Sequence, residues 1–269
     1  MKVSFITVFY RTPGLIRQLL KGVEAASPSF AYEFFLVDNA SGDETIPMVR
    51  ERFPWAITIA SSVNGGFGAG NNLALSRAQG EYVMLLNPDL TVFPGEMEKL
   101  VEFADAHPDY AFFGPRLLHP DRTIQRSFHR FPTAMIPLYR RTPLGRTHWG
   151  KRAIDNYLMQ DANPETWQDV DGLFGSAILI RRSALEIIGN FDERFFMYYE
   201  DTDLCRRAWE SGYKVCYTPA AVFVHYHQRE SEVKRVWQLA TNPLVRAHIK
   251  SGIRYFLKYR GKKHPRWSA

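Results

Sequence analysis

VSFITVFYRTPGLIRQLLKGVEAASPSFAYEFFLVD, residues 3–38, is the stretch that decides the fold. VSFITVF is rich in β-branched and aromatic residues and reads as a strand. PGLIRQLLKGVEAA opens on a proline and spaces its apolar residues as a helix does, and YEFFLVD returns to a strand. Two strands separated by a helix cannot form a hairpin, so they lie parallel with the helix covering one face of the sheet. The rhythm runs on to residue 115, where ETIPMVRERF, WAITIAS, GAGNNLALSRAQ, EYVMLLN, GEMEKLVEFADAH and YAFFG alternate helix and strand. The pattern predicts an α/β fold: a Rossmann-like, mostly parallel sheet with helices on both faces and ligands at the carboxyl ends of its strands. Those ends carry Phe9-Tyr10-Arg11, Asp38-Asn39 and Asn87-Pro88-Asp89.

Residues 116–168 lose the rhythm, being rich in Arg, His and Pro, and are expected to form a long excursion of local hairpins and helical turns. VDGLFGSAILIRR, SALEIIG and YKVCYTPAAVFVH then restore strand, helix and strand. The expected organisation is a βα half (1–115), a second half of the same domain (116–228) and a basic helical extension (229–269).

With 269 residues, 45% of them hydrophobic, the chain can bury a full core, which excludes a disordered or fibrous protein. The opening MKVSFITVFYR meets charge at Arg11, too soon for a signal-peptide core, and no apolar run approaches the roughly 18 residues of a membrane-spanning helix. Cys205 and Cys216 lack any CxxC or Cys/His spacing and read as buried thiols of a reducing cytoplasm. The net charge of +6 is uneven: residues 226–269 hold 11 Lys/Arg against 2 Asp/Glu, the remainder 23 against 26. The basicity belongs to the tail, and with no helix-turn-helix, zinc-finger or RNP-like pattern a nucleic-acid partner is not expected.

Several clusters admit chemistry beside a plain structural role. Asp38 either helps the next helix to start or accepts hydrogen bonds from a base or ribose, and Ser41 and Asp43 are the better caps. VNGGFGAGNN (63–72) is glycine-rich before a helix, yet Asn71 stands where GxGxxG needs its third glycine, and no Walker Lys-Ser/Thr follows. A tight loop of packed glycines is the alternative. In LLNPDL (85–90), Asn87 and Asp89 form either an Asn-Pro-Asp turn or a one-acid cation site completed by diphosphate oxygens and water. FFMYYEDTDLCRRA (195–208) places Glu200, Asp201 and Asp203 directly behind five aromatic or thioether side chains. Asp203 pairs with Arg207 at i,i+4, and acids suit a helix start, but three exceed one cap. A carboxylate beside aromatic walls gains proton affinity and suits a general base. His225 and His227 end the last strand.

Together these segments resemble the inverting glycosyltransferases of family 2, with the GT-A fold, and within them the rhamnosyltransferase-like branch. The resemblance runs through FITVFYR, LVDNASGD, NGGFGAGNN, LLNPD, VDGLFGSAILIRR, VHYHQRES and, most specifically, GNFDERFFMYYEDTDLCRR. It implies a nucleotide-sugar site formed by Thr7, Phe9, Asp38, Asn39, Asn64, Gly66, Asn71, Asn87 and Asp89, with Thr7 against the nucleoside and Asp38 on the base. It implies Mg2+ or Mn2+ held by Asp89 and His225. Asp201 matches the general base, Glu200 is counted with it as a catalytic residue, and Gly175, Phe196 and Tyr198 fall on the acceptor side. Two departures stand out: the DxD of relatives is reduced to NPD, and Arg11 replaces the usual Asn after the first-strand tyrosine.

The implied reaction is a single displacement with inversion, from dTDP-L-rhamnose to a hydroxyl of a cell-surface polysaccharide or polyprenol-linked precursor. In the tail, Arg246, Lys250, Arg254 and Lys258 recur every four residues beside Val245, Ile249, Ile253 and Leu257. Such a helix either lies on an anionic membrane, making the protein peripheral on the cytoplasmic face, or packs on the domain. Two other functions are open to this sequence. A nucleotidyltransferase would need a basic phosphate loop near the first strand, which Phe9–Pro13 lacks; a catalytically silent sugar-binding scaffold would keep the aromatics but have no use for Asp201.

Overall fold

The computed structural model describes residues 1–226 and 242–267. Strand β1 (Val3–Phe9), helix α1 (Pro13–Ala26) and strand β2 (Tyr32–Asp38) coincide with the three segments read from residues 3–38. The rhythm continues through α2 (Thr45–Arg52), β3 (Ile57–Ala60), α3 (Gly66–Leu75), β4 (Tyr82–Leu86), β5 (Leu90–Thr91), α4 (Glu96–Ala106) and β6 (Tyr110–Leu118). The excursion holds β7 (Ile124–Gln125), β8 (Phe128–His129), α5 (Ile136–Arg141), α6 (His148–Tyr157) and β9 (Gln168–Asp169). Then come β10 (Gly172–Leu173), β11 (Ala177–Arg181), α7 (Arg182–Ile188), α8 (Glu200–Glu210), β12 (Lys214–His225) and a C-terminal helix, Pro243–Lys258.

The main sheet runs β3-β2-β1-β4-β11-β6-β12-β5. β3, β2, β1 and β4 are mutually parallel, and β12 is parallel to β6. β11 is antiparallel to both of its neighbours, and β5 to β12. The reversal of β11 follows from how the chain arrives: it enters beside the carboxyl end of β4, Ala177 opposite Leu86, with no helical crossover to turn it round. The residues just before β11 therefore lie against the turn that follows β4.

Alternation along β1 sends Val3, Phe5 and Phe9 into a core shared with Leu19, Leu20, Phe34 and Leu100, and Ile6 into a second core with Val37, Leu85, Ile180 and Leu204. Each buried side chain of this kind contributes about 1.5–3 kcal/mol. Both cysteines are buried and free, and burial pushes the Cys205 thiol up to about 12.

The C-terminal helix packs on residues 192–203. Ser251 Oγ donates to the Met197 carbonyl (2.9 Å), and Lys258 Nζ reaches Asp203 (2.6 Å) and Asp192 (2.8 Å). Beyond it, His264 and Arg266 contact the buried Asp171 at 2.9 and 2.7 Å. For Lys258 and Val245, which the sequence leaves open to a membrane face or to the domain, the packed side holds: the first is paired with buried acids and the second is fully buried. His227 and the first part of the extension, to residue 241, lie outside the described residues. Among the described residues no helix is long and apolar enough to cross a membrane.

Candidate active site

Asp38 closes β2, and its buried Oδ1 accepts the amide of Ser41 (2.8 Å). Ser41 does not cap α2; its hydroxyl accepts the amide of Arg11 (2.8 Å), where a φ of 55° turns the chain after β1. The turn into α2 falls to Asp43, which accepts from the Thr45 amide (2.9 Å). Asn39 Nδ2 donates to the Gly66 carbonyl (2.9 Å) and so ties the end of β2 to the glycine-rich loop.

Gly66 has a φ of +88°, and a Cβ on it would stand 1.8 Å from the Phe196 carbonyl oxygen. The next amide, of Phe67, donates to that same oxygen (2.9 Å). Only glycine fits this crossing of two backbones. Asn64 and Asn71 brace it: Asn64 Oδ1 accepts from the Gly66 amide (3.1 Å), and Asn71 Nδ2 donates to the Phe67 carbonyl (2.9 Å).

From Phe196 the chain drops sharply into α8. Tyr198 and Tyr199 both take a φ of 70°, a left-handed conformation that costs aromatic residues of order 1–3 kcal/mol each. Tyr199 is held by Tyr255 and His248, ring centres 5.3 and 5.2 Å away, and Tyr198 lies 4.8 Å from His248. Burial, together with the nearby Arg141 and Arg140, lowers the His248 pKa to about 3, so its ring packs as a neutral one.

This descent delivers Glu200 and Asp201 to the first turn of α8. Asp201 Oδ2 accepts the amide of Gly175 (2.9 Å), while Oδ1 accepts the amide (2.6 Å) and hydroxyl (3.2 Å) of Thr202, which fixes the carboxylate's orientation. Glu200 is only 5% exposed and its Oε2 has no hydrogen-bond partner. Burial, and then the charge of Asp201, push its pKa well above the usual carboxylate range.

His129, at the end of β8, is a buried neighbour of the site that sequence reasoning missed. It is fully buried, its Nδ1 donates to the Arg130 carbonyl (2.9 Å), and its Nε2 lies 3.5 Å from Thr202 Oγ1. Burial lowers its pKa and keeps it neutral. SFHRF lies in the excursion, where no periodicity marks it.

From Gly175 the contacts continue to the second acid. The Ser176 carbonyl accepts the Asn87 amide (2.9 Å), and Asp89 Oδ1 lies 3.1 Å from His225 Nε2. His225 Nδ1 in turn faces Gln125 Oε1 at 3.1 Å. With Nδ1–H given to Gln125, the Nε2 lone pair stands beside the Asp89 carboxylate; the carboxylate suits Mg2+ or Mn2+, and the added imidazole nitrogen favours Mn2+, the softer of the two. Among the described residues no group of three or more His, Cys, Asp or Glu assembles to hold a metal, so these two would leave most of a coordination sphere to diphosphate and water.

Phe9 is corrected from a donor contact to a core residue, since its ring is 2% exposed within the α1-side cluster. Thr7 is fully buried on the same face of β1, and the exposed side chains at that strand end are Tyr10 and Arg11. Phe196 is partly exposed beside the glycine loop.

A continuous run of contacts thus joins Asp38-Asn39, the glycine loop, Phe196 to Asp201, Gly175-Ser176, Asn87 to Asp89, and His225, at the carboxyl ends of β2, β4 and β12. The family model described as Glycosyl transferase family 2 matches residues 4–189. The chain belongs to glycosyl transferase family 2. That match spans Asp38, Asp89 and Gly175, whereas Asp201 and His225 lie beyond it and rest on the geometry.

This family 2 chain is 30% identical over 210 residues to the N-acetylglucosaminyl-diphospho-decaprenol L-rhamnosyltransferase of Mycobacterium tuberculosis, covering 71% of the chain and 65% of the relative. It is 26% identical over 273 residues to the rhamnosyltransferase WbbL of Escherichia coli K12, covering 96% and 94%. The mannosyltransferase PcManGT from Pyrobaculum calidifontis, solved with GDP-Man and Mn2+, superposes with a TM-score of 0.62 at 18% identity over 98% of this chain and 66% of that one. The last likeness establishes the GT-A fold expected from the sequence.

Proposed function

We propose that this chain transfers L-rhamnose from dTDP-L-rhamnose to a hydroxyl of a polyprenol-linked glycan precursor, with inversion at the anomeric carbon. The observation that carries the reading is the placement of Asp201. Its carboxylate is clamped by Gly175, and the next carbonyl, of Ser176, holds the turn bearing Asp89. The two rhamnosyltransferase relatives support the sugar, and the decaprenol-linked acceptor in the name of one supports the acceptor class.

In this reading the donor lies across the strand ends with its base near Asp38. A divalent cation on Asp89 and His225 would neutralise charge developing on the diphosphate leaving group. Asp201 takes the proton of the acceptor hydroxyl as its oxygen attacks the anomeric carbon. The C–O bond to the nucleoside diphosphate breaks on the opposite face, so one displacement inverts the centre without a covalent intermediate. Glu200 keeps its proton and spares Asp201 a second negative charge alongside. An acceptor with a polyprenol tail resides in a bilayer, which puts the chain at the cytoplasmic membrane face; nucleic acid has no part in this reaction.

The test is transfer from dTDP-L-rhamnose, UDP-GlcNAc and GDP-mannose to a polyprenyl-diphosphate-linked GlcNAc acceptor, with and without chelator, the product's anomeric configuration being read by NMR. Asp201→Asn is expected to lose about 10²–10⁴-fold in kcat. Full turnover by that variant, or retained configuration, overturns the assignment.

A further inference from the structure

Among the described residues, one face of the C-terminal helix packs on the domain and another carries large aliphatic side chains that are exposed. Val245, Ser251, Gly252 and Tyr255 are buried. At about 100° per residue, Ile249, Ile253 and Leu257 fall on a separate arc roughly 130° round the helix. They are 39%, 56% and 64% exposed, an unbroken ridge of large aliphatic side chains in water. Arg246 lies within this arc and Lys250 along its outer edge, and both are exposed, whereas Arg254, further round, donates to the Arg194 carbonyl of the domain. Residues 242–266 contain eight Lys/Arg and no Asp/Glu.

We infer that this outer arc docks the chain on an anionic lipid surface, with Ile249, Ile253 and Leu257 inserted and Arg246 and Lys250 at the headgroups. The inference rests on the polyprenol-linked acceptor proposed above. Charge decides the occupant: the arc offers cations only, and a bilayer presents both a layer of phosphates and an apolar depth of about 5–10 Å beneath it. Three aliphatic side chains on one helix fall well short of the roughly 800 Å² per partner that a stable protein interface needs. The inner face of the same helix holds the carbonyl of Met197 and lies against the Tyr199 ring, on the segment that delivers Asp201. Docking therefore places the segment that delivers Asp201 about one helix diameter, roughly 10 Å, from the lipid headgroups.

The test is co-sedimentation with phosphatidylcholine vesicles and with vesicles that also contain phosphatidylglycerol. Wild-type protein is expected to sediment with the anionic vesicles only, and less so as salt rises. Ile253→Asp/Leu257→Asp is expected to abolish sedimentation without changing the melting temperature, and neutralising Arg246 and Lys250 to Gln to weaken binding about fivefold per residue. Transfer to a detergent-dispersed short-chain acceptor should persist in these variants, with loss confined to vesicle-borne acceptor. Wild-type protein left in the supernatant with anionic vesicles, or the Asp variant still sedimenting, overturns the docking surface, while turnover of the dispersed acceptor would keep the transferase standing. Sedimentation without transfer from any nucleotide sugar supports the surface and removes the transferase. Light scattering covers the remaining occupant: a dimer that the Asp variant dissociates, with vesicle binding unchanged, overturns the inference.

Discussion

Glu200 and Asp201 are adjacent acids with opposite surroundings. Asp201 receives three hydrogen bonds, whereas Glu200 is buried with an unpartnered oxygen. A neutral Glu200 tolerates an isosteric amide, so Glu200→Gln should keep most of kcat where Asp201→Asn does not, as single-turnover rates on the two variants would show. The raised pKa also has a stability consequence. The folded chain holds this proton more tightly than the unfolded chain, so the contribution is fully present below the ordinary value of 4.5 and is lost as the pH rises through the higher folded value. Glu200→Gln should therefore melt above wild type by a margin that widens with pH, and a margin independent of pH would refute the buried proton. The spacing of Asp203 and Arg207 disclosed their pairing in the sequence, and the structure shows it at 2.9 Å. His129 was illegible because its meaning lies in Thr202, 73 residues away.

Among elements, the βα rhythm was legible because strand and helix periods are local, and the first three elements fall where the pattern puts them. The direction of β11 was not legible, since periodicity says nothing about which way a strand enters a sheet. The glycine loop lies between these cases. Its composition left a phosphate loop and a tight loop of packed glycines both open, and the requirement at Gly66 comes from the Phe196 carbonyl, 130 residues on. Gly66→Ala pushes a methyl group into backbone at a left-handed φ, where neither partner can yield cheaply. It is expected to cost about 3 kcal/mol or more and to take activity with it, since the same crossing aims Phe196 and the descent to Asp201. A shift in urea midpoint measures the first effect; near-wild-type stability would mean that the two backbones do not cross as described.

At the scale of the whole molecule, the C-terminal helix buttresses the candidate site although, among the described residues, it adds none to the run of contacts from Asp38 to His225. Asp203 is fully buried, and it is held by Arg207, Lys258 and Tyr259, the last two from beyond residue 242. Removing one cation leaves a buried carboxylate short of a partner, which costs about 1–3 kcal/mol. The cost should not remain local. Asp203 accepts from Tyr259 while its own amide donates to the Tyr199 carbonyl (2.8 Å), and Tyr199 is the left-handed residue whose conformation the helix stabilises by packing. Lys258→Met should therefore lower the melting temperature and also reduce kcat more than it raises donor KM, because Asp38 and Asp89 are positioned by the sheet and Asp201 by this packing. Equal kcat at a lowered melting temperature would show that α8 holds its first turn without the helix, and that the basic extension serves the surface alone.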